Sequence, residues 1–299
     1  MKEIANKSIH FNKHKVMDKD ILICGDRSFV AKGIYEKLEI NGFSTDCFSR
    51  GKEEKNGYKI TGDVYQMASN RYLKPHYDIV VNFILLKDQS IEKNLQYIKE
   101  LVNFCRYKTV KALIHISSII VYNNNETVVN ETTEIENNTN KTGYGAIKIE
   151  VDKYLQFLDD LPFQLTFIRP GYVLAEGRPV PYIKELLLRF AVIKGDKKSM
   201  QPVVHREDVH AAIINMIKFN VKEQVCLFVP SDNKSKYEYA RENYNFRFLC
   251  LPKFLILGLT RICVAMKFIN KSFYTRIEGM FIDTQYDSRK TERLLKVKF

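Results

Sequence analysis

The sequence predicts a doubly wound α/β fold, in which a mostly parallel β-sheet lies between two layers of helices. Short apolar runs rich in β-branched residues alternate along the chain with longer stretches of helical periodicity. Most of these runs are apolar at successive positions rather than at every second one, which is typical of strands covered on both faces. Strand–helix alternation of this kind is the pattern of doubly wound sheets.

The predicted elements divide the chain into a main domain and a smaller lobe. The strand candidates are 20–25, 43–50, 58–63, 77–85, 111–118, 163–171 and 225–230. The helix candidates that lie between them are 29–40, 90–107, 143–158 and 208–218. The predicted main domain is 20–169, and 206–230 returns to its sheet. The lobe consists of 170–205 and 231–299. Residues 1–19 form a polar N-terminal extension.

Composition narrows the class of protein. The 299 residues include 45% hydrophobic residues and six cysteines, none of them in a C-x-x-C pair. The first twenty residues are polar and basic and do not resemble a signal peptide. We therefore expect a cytoplasmic protein without disulfides. The histidines are as scattered as the cysteines, so no metal site is predicted.

The net charge of +12 is compatible with several anionic partners. Neither zinc-finger spacing nor an RNA-binding aromatic motif is present, so nucleic acid is not an expected partner. Two interpretations of the charge stay open. It steers an anionic substrate to the protein, or it is an ordinary basic surface.

The apolar stretch 254–269 needs its own interpretation. It carries Arg261 in its middle and is flanked by Lys253 and Lys267. It is shorter than the roughly 20 residues that span a bilayer. We expect a buried helix of the lobe. The alternative is a helix lying on a membrane surface, since such helices combine Lys and Arg with an apolar face.

The turn after the first strand, "GDRSFVA", predicts a phosphate-binding site. A dinucleotide site needs small residues where the chain turns, approaches the pyrophosphate and starts a helix. Gly25, Ser28 and Ala31 occupy those positions, although two glycines of the full fingerprint are missing. An ordinary strand–helix connection is the alternative, but the position at the first strand favours a cofactor site. The predicted cofactor contacts here are Gly25, Arg27, Ser28, Phe29 and Val30.

The ends of the next two strands bear on the choice of cofactor. The second strand ends at Arg50 without a carboxylate, and an arginine there suits the 2′-phosphate of NADP(H). NAD(H) remains the alternative. Asp63 and Val64 follow the third strand and are candidate contacts to the adenine. Asp63 could equally cap a helix.

A tyrosine and a lysine four residues apart, Tyr144 and Lys148, are the candidate proton-transfer pair. The Tyr-x-x-x-Lys spacing occurs three times in the chain, about as often as chance predicts. This pair alone opens a predicted helix, after a strand that ends with Ser117 and Ser118. Ligands of open α/β sheets bind beyond the carboxyl ends of the strands, so these side chains should meet at the crevice.

The chemistry of such a cluster is acid–base catalysis. A free tyrosine has a pKa of about 10, and a nearby ammonium favours the phenolate and lowers that pKa. The phenol could then exchange a proton with a sugar hydroxyl or ketone, while a serine hydroxyl holds the oxygen. Ser118, Tyr144 and Lys148 are therefore the predicted catalytic residues.

The order and spacing of these motifs resemble the extended short-chain dehydrogenase/reductase superfamily, in its branch of NAD-dependent epimerases and dehydratases of nucleotide sugars. The resemblance covers roughly residues 20–230. It rests on "GDRSFVA", "TGDV", "DIVVNFIL", "ISSIIVY", "YGAIK", "IRPGYVLAEG" and "PVVHREDVHAAI".

The resemblance implies a Rossmann-type fold with a C-terminal substrate-binding lobe and a bound NADP(H) or NAD(H). It also implies that Lys148 contacts the nicotinamide ribose and that relatives pair into a homodimer through 90–107 and 143–158. The further cofactor positions that it implies are Asn82, Phe83, Pro170, Gly171 and Val173. Ser118 is a candidate substrate contact. The basic lobe would suit a diphosphate substrate, with Arg178, Lys184 and Arg206 as candidate contacts, and solvated surface charges are the alternative for each of the three.

The function implied is reduction at carbon 4, or epimerisation, of a nucleotide-activated sugar in surface polysaccharide biosynthesis. Ile119 and Ile120 stand where related dehydratases carry an Asp-Glu pair, which argues against a 4,6-dehydratase. Two alternatives stay open. One is a non-catalytic NAD(P)-binding sensor or partner protein, and the other is a membrane-docked reductase of a lipid-linked or steroid-like substrate.

Overall fold

The structure is a computed structural model that describes residues 19–136, 141, 143–176, 180–186 and 190–299. The strands in chain order are β1 (Asp20–Cys24), β2 (Ser44–Arg50), β3 (Glu54–Asn56), β4 (Lys59–Gly62), β5 (Ile79–Asn82), β6 (Ala112–Ile116), β7 (Val128–Val129), β8 (Gln164–Pro170), β9 (Tyr172–Leu174), β10 (Ile183–Glu185), β11 (Phe190–Ile193), β12 (Val203–His205), β13 (Val225–Phe228), β14 (Arg247–Cys250) and β15 (Gln285–Tyr286). The helices are α1 (Ile34–Ile40), α2 (Ile91–Tyr107), α3 (Tyr144–Gln156), α4 (Arg206–Phe219), α5 (Lys236–Asn243), α6 (Lys253–Ala265), α7 (Lys271–Glu278) and α8 (Arg289–Leu295).

Eight strands form the main sheet, in the order β13-β8-β6-β5-β1-β2-β4-β3. All neighbours in it are parallel except β3 and β4. The chain moves outward from β1 through β2 and β4, then returns to the other side of β1 at β5. The crevice of a doubly wound sheet opens at such a reversal, above the carboxyl ends of β1 and β5. The predicted fold class is confirmed.

The central strand β1 shows why its sequence is apolar at successive positions. Ile21 and Ile23 pack in the core between the sheet and α1 and α4. Leu22 and Cys24 pack in the core on the opposite face, with α2 and α3. All four side chains are fully buried. Burying one such aliphatic side chain contributes about 1.5–3 kcal/mol, so both faces of β1 stabilise the domain.

The first helix starts later than the sequence predicts. The prediction was 29–40, whereas α1 begins at Ile34. Residues 28–33 form turns instead, in which the Ser28 carbonyl accepts hydrogen bonds from the amides of Ala31 and Lys32. Gly33 then has a φ of 93°, a left-handed conformation that interrupts regular helix.

The region outside the main sheet contains small sheets, and its end packs elsewhere than predicted. β10, β11 and β14 form a three-stranded sheet, and β9 pairs with β12. The C-terminal segment, predicted to belong to the lobe, packs on the main domain: Leu295 of α8 is fully buried in the core with α4. The Phe299 ring also lies 5.0 Å from the ring of Phe228 in β13. Apolar burial at the chain end is the reason for this difference.

The prediction of a buried helix at 254–269 is wrong. None of the side chains of α6 is buried, and Phe254 is 87% exposed. Leu259 and Ile262 are 61% and 56% exposed. Within the described ranges, no helix is long and apolar enough to cross a membrane.

Candidate active site

The turn after β1 is shaped to lie close to other backbone. Gly25 has a φ of 90°, which a residue with a side chain rarely adopts. A Cβ placed on Gly25 would lie 2.9 Å from Ile84 Cγ1 and 3.1 Å from the Ile84 nitrogen. The absent side chain lets this turn pack directly against the chain that follows β5. A left-handed glycine turn at the carboxyl end of the first strand is where dinucleotide folds hold the pyrophosphate, so the turn fits the predicted cofactor.

Two side chains of helix α4 contact the end of this turn. The Arg206 guanidinium lies over the Phe29 ring at 5.7 Å, and His210 Nε2 is 2.7 Å from the Val30 carbonyl oxygen. Burial is the main reason why the pKa of His210 is lowered to about 4, so its ring is neutral. Arg206, predicted to contact substrate, therefore lies beside the cofactor turn. Two further residues of the turn, Arg27 and Ser28, are exposed and half-buried respectively.

Arg50 lies at the crevice edge but already has a partner. Its guanidinium is 3.2 Å from Asp88 Oδ2, and both side chains are more than half exposed. The carboxylate of Asp63 accepts a hydrogen bond from the Tyr65 amide at 2.9 Å, as expected of a turn-capping residue. The neighbouring Val64 is 1% exposed in the core, so only its backbone could reach a cofactor.

The residues predicted after the fourth strand have side chains in the interior. Asn82 is fully buried; its Oδ1 accepts from the Tyr97 hydroxyl at 2.7 Å and its Nδ2 is 3.1 Å from His115 Nδ1. The polar atoms of Asn82 are thus used inside the fold. Phe83 is 7% exposed. Both could contact a cofactor only through the backbone that runs beside Gly25.

The segment after β8 is anchored between the main sheet and the lobe. The Gly171 amide donates to the Phe228 carbonyl at 3.0 Å, and a Cβ on Gly171 would lie 2.5 Å from the Pro202 oxygen. Pro170 and Val173 on either side are buried. Two of the predicted substrate contacts cannot be placed at the crevice: Lys184 is exposed in β10, and Arg178 lies outside the described residues.

The three predicted catalytic residues come together. Ser118 follows β6 and Tyr144 is the first residue of α3, where it is 39% exposed. The Ser118 hydroxyl lies close enough to the Tyr144 phenol to lower its pKa. Lys148 lies one turn further along α3, with its Nζ 6.0 Å from the centre of the Tyr144 ring. That ammonium donates to the Ile116 carbonyl at 2.5 Å, which ties α3 to the end of β6.

The predicted lowering of the tyrosine pKa is wrong. Desolvation raises the pKa of Tyr144 above its usual value; the Ser118 hydrogen bond lowers it, and the charge of Asp152 raises it. Lys148 is itself desolvated, which lowers its pKa to about 8, with Asp152 opposing this shift and Lys87 adding to it. At neutral pH the cluster therefore holds a protonated phenol beside a mostly charged amine.

Sequence reasoning missed two groups of this site. Lys87 lies after β5 with its Nζ 5.8 Å from the Tyr144 ring, so a second cation flanks the phenol. Asp152 lies one turn beyond Lys148 and is fully buried. Its spacing along α3 was the indication available, because residues four apart share a helix face. Nothing in the sequence distinguishes Lys87 from other loop lysines.

A fully buried polar network supports α3 from beneath. The Asp152 carboxylate accepts from the Ser117 hydroxyl at 2.7 Å and from Arg169 Nη2 at 3.1 Å. Arg169 also donates to the Tyr122 hydroxyl at 2.9 Å. Burial raises the pKa of Asp152, and the charges of Arg169 and Lys148 oppose that shift. An arginine within an apolar strand must find a buried partner, and this was the sequence indication for the network.

A doubly wound sheet, a glycine turn at its reversal and a Ser–Tyr–Lys set beside β6 define a short-chain dehydrogenase/reductase. The chain belongs to the NAD dependent epimerase/dehydratase family, whose model matches residues 21–225. The family is NAD dependent, so the cofactor of this chain is a nicotinamide dinucleotide.

Solved structures share this fold across nearly the whole chain. The human epimerase family protein SDR39U1, solved with NADPH, is 14% identical with a TM-score of 0.60, covering 92% of this chain and 93% of that one. MoeE5, in complex with UDP-glucuronic acid and NAD, is also 14% identical with a TM-score of 0.60, covering 93% of both chains. UDP-glucose 4-epimerase from Bifidobacterium longum, with NAD+ and UDP, is 17% identical with a TM-score of 0.58, covering 94% and 93%. No curated protein sequence matches the chain.

Proposed function

We propose that this protein is an NAD(P)-dependent ketoreductase or epimerase of a nucleotide-activated sugar, with Tyr144 as its acid–base group. One observation carries the proposal. Ser118, Tyr144 and Lys148 meet at the carboxyl edge of the sheet, where Tyr144 is 39% exposed and so open to a substrate.

The protonation state of the cluster suits the donation of a proton to a ketone. With its pKa raised, the Tyr144 phenol carries its proton at neutral pH and can donate it to a ketone oxygen. Ser118 can hold the same oxygen by a hydrogen bond. The ammonium of Lys148 stabilises the phenolate that remains after the transfer. The nicotinamide cofactor, when bound, supplies the hydride.

Arg50 supports NADP(H) as the cofactor that is used. It ends β2, the position at which a 2′-phosphate is recognised in dinucleotide folds, and the strand end carries no carboxylate to hold a ribose hydroxyl. Its guanidinium is more than half exposed and its present partner, Asp88, is an exposed side chain that a phosphate could displace.

The substrate class rests on the family and on charge. Two similar structures contain UDP or UDP-glucuronic acid. A net charge of +12 would attract such a diphosphate. The role in surface polysaccharide biosynthesis, the cytoplasmic location and a homodimer formed through α2 and α3 belong to the same proposal.

Replacing Tyr144 with Phe tests the proposal. NADPH oxidation with a UDP-4-keto-sugar should fall by about 10²–10⁴-fold, because general acid catalysis contributes that much. Cofactor affinity, measured by NADPH fluorescence, should change little. Tyr107→Phe is the matched control, since Tyr107 has the same spacing to a lysine but is 71% exposed at the end of α2. Equal turnover by the wild type and Tyr144→Phe would refute the proposal.

The same experiment distinguishes an enzyme from a non-catalytic sensor. A non-catalytic NAD(P)-binding protein should bind cofactor and show no turnover in the wild type with any keto-sugar offered. Mass spectrometry of cofactor released from the purified protein then separates tightly held NAD, which suits an epimerase, from exchangeable NADPH, which suits a reductase. The alternative of a reductase docked on a membrane is supported by the exposure of α6.

A further inference from the structure

Helix α6 turns its apolar stripe to solvent. Leu255, Leu259, Ile262 and Met266 follow the spacing i, i+4, i+7, i+11 and are 56%, 61%, 56% and 58% exposed. At about 100° per residue these four side chains fall within an arc of roughly 60°. A surface helix of a globular protein normally packs such a stripe against the core. Phe268, just beyond the helix, adds a ring that is 72% exposed.

Polar groups on the other side of α6 fix this orientation. Lys253 Nζ donates to the Phe281 carbonyl at 3.2 Å, and Arg261 Nε donates to the Tyr274 hydroxyl of α7 at 2.9 Å. The Tyr274 hydroxyl in turn donates to Glu278 at 3.2 Å. The cations of α6 therefore hold it to the lobe, while its apolar stripe is presented outward.

The charge of the segment points to an anionic occupant. Residues 243–277 contain no Asp or Glu. The six cations of this stretch are Arg247, Lys253, Arg261, Lys267, Lys271 and Arg276. Apolar side chains bordered by cations are the composition of helices that lie in the headgroup region of anionic membranes. A second copy of this segment would bring like charges together, because residues 243–277 contain cations and no acid.

The length of α6 determines whether it could span a bilayer or only lie on its surface. Its 13 residues extend about 20 Å, less than the roughly 30 Å of the hydrocarbon core. A helix of this length lies along the surface and inserts only its apolar face.

We propose that the α6 face, formed by Leu255, Leu259, Ile262, Met266 and Phe268, docks on the surface of an anionic lipid bilayer. This goes beyond the proposed reaction and does not depend on it. The occupant is the lipid surface itself, whose acyl chains cover the stripe while its anionic headgroups attract the positive charge of the segment.

Vesicle co-sedimentation of the full chain tests the docking. The wild type should sediment with phosphatidylcholine vesicles that contain phosphatidylglycerol and much less with phosphatidylcholine alone. Leu259→Asp/Ile262→Asp should reduce partitioning into the anionic vesicles by about tenfold or more, because charge is excluded from the acyl region. Ile40→Asp is the matched control: Ile40 is 71% exposed at the end of α1, and this variant should bind as the wild type does.

Three outcomes would overturn the proposal. They are no binding of the wild type to anionic vesicles, equal binding to both kinds of vesicle, and unchanged binding of the α6 double variant. A dimer that the double variant splits into monomers, without vesicle binding, would identify a second copy as the occupant. Thermal unfolding followed by circular dichroism shows whether the variants are folded. Since no turnover is measured, failure here leaves the proposed reaction untouched.

Discussion

Arg169 and Asp152 form an ion pair in which neither side chain is more than 1% exposed, with Nη2 and Oδ2 3.1 Å apart. The pair joins the end of β8 to the middle of α3, the helix that carries Tyr144 and Lys148. The residues proposed to transfer the proton are thus positioned by a charged pair that is itself buried.

Removing only one partner of this ion pair should lower the free energy of unfolding. Arg169→Met leaves a buried carboxylate without its counter-ion, and the free energy of unfolding should fall by about 3–5 kcal/mol. Urea denaturation measures the loss. Adding Asp152→Leu should recover more than half of it, because replacing both charges leaves no unpaired ion. A double variant as unstable as Arg169→Met would show that packing, not charge, sets the loss.

Alanine substitutions at Gly25 and Gly33 distinguish the cost of a left-handed backbone from the cost of a steric clash. Both have a φ near 90°, but a Cβ would meet Ile84 at Gly25 and open space at Gly33. Gly33→Ala should lose only the roughly 1–2 kcal/mol of a left-handed residue. Gly25→Ala should lose more stability and also weaken NADPH binding, measured by fluorescence titration. Equal effects of the two substitutions on cofactor affinity would contradict a phosphate site at Gly25.

Arg50 should decide between the two cofactors. Arg50→Ala should raise the Kd for NADPH by about tenfold or more and leave that for NADH almost unchanged, because only NADPH carries the 2′-phosphate. Asp88→Asn should have the opposite effect and tighten NADPH binding, since Asp88 competes for the guanidinium. Arg71→Ala is the control: Arg71 is an exposed arginine that also faces a carboxylate, Glu53, at 3.9 Å. Identical titrations for both nucleotides in Arg50→Ala and wild type would remove the case for NADP(H).

Lys148 should make stability depend on pH in an alkaline window. Its pKa in the folded protein is about 8, because burial lowers it from the ordinary lysine value of 10.5. Between these values the unfolded chain binds the proton and the folded protein does not, so this lysine adds stability as the pH rises from about 8 to 10.5. The protein loses this contribution of Lys148 to stability as the pH falls from 10.5 through the folded pKa of about 8. Urea denaturation across this range should show the gain in wild type and its absence in Lys148→Met.

The fold could be predicted from the sequence because its core strands have no other plausible environment. Ile21 to Cys24 are apolar at successive positions, and only a strand covered on both faces buries all four. The proximity of Ser118, Tyr144 and Lys148 could be predicted because strand order and helix period bring them together, while their catalytic role stays a prediction.

Burial at particular atoms could not be predicted. The pKa of Tyr144 depends on how far its hydroxyl is desolvated, and spacing along the chain contains no such information. The apolar sequence around Leu259 predicts burial, yet the side chains are exposed. Hydrophobicity alone does not tell which surface a helix presents. Asn82 was expected at the cofactor, yet its amide is held by Tyr97 and His115, which are distant in sequence.

The pairing of β13 with β8 also bears on synthesis of the protein. β8 ends at Pro170, and the strand that covers its outer edge ends at Phe228. At 5–20 residues per second, a ribosome needs roughly 3–12 s to make the residues between them. During that interval the nascent chain displays an unpaired apolar strand edge, the kind of surface that chaperones bind and that aggregates when they are scarce.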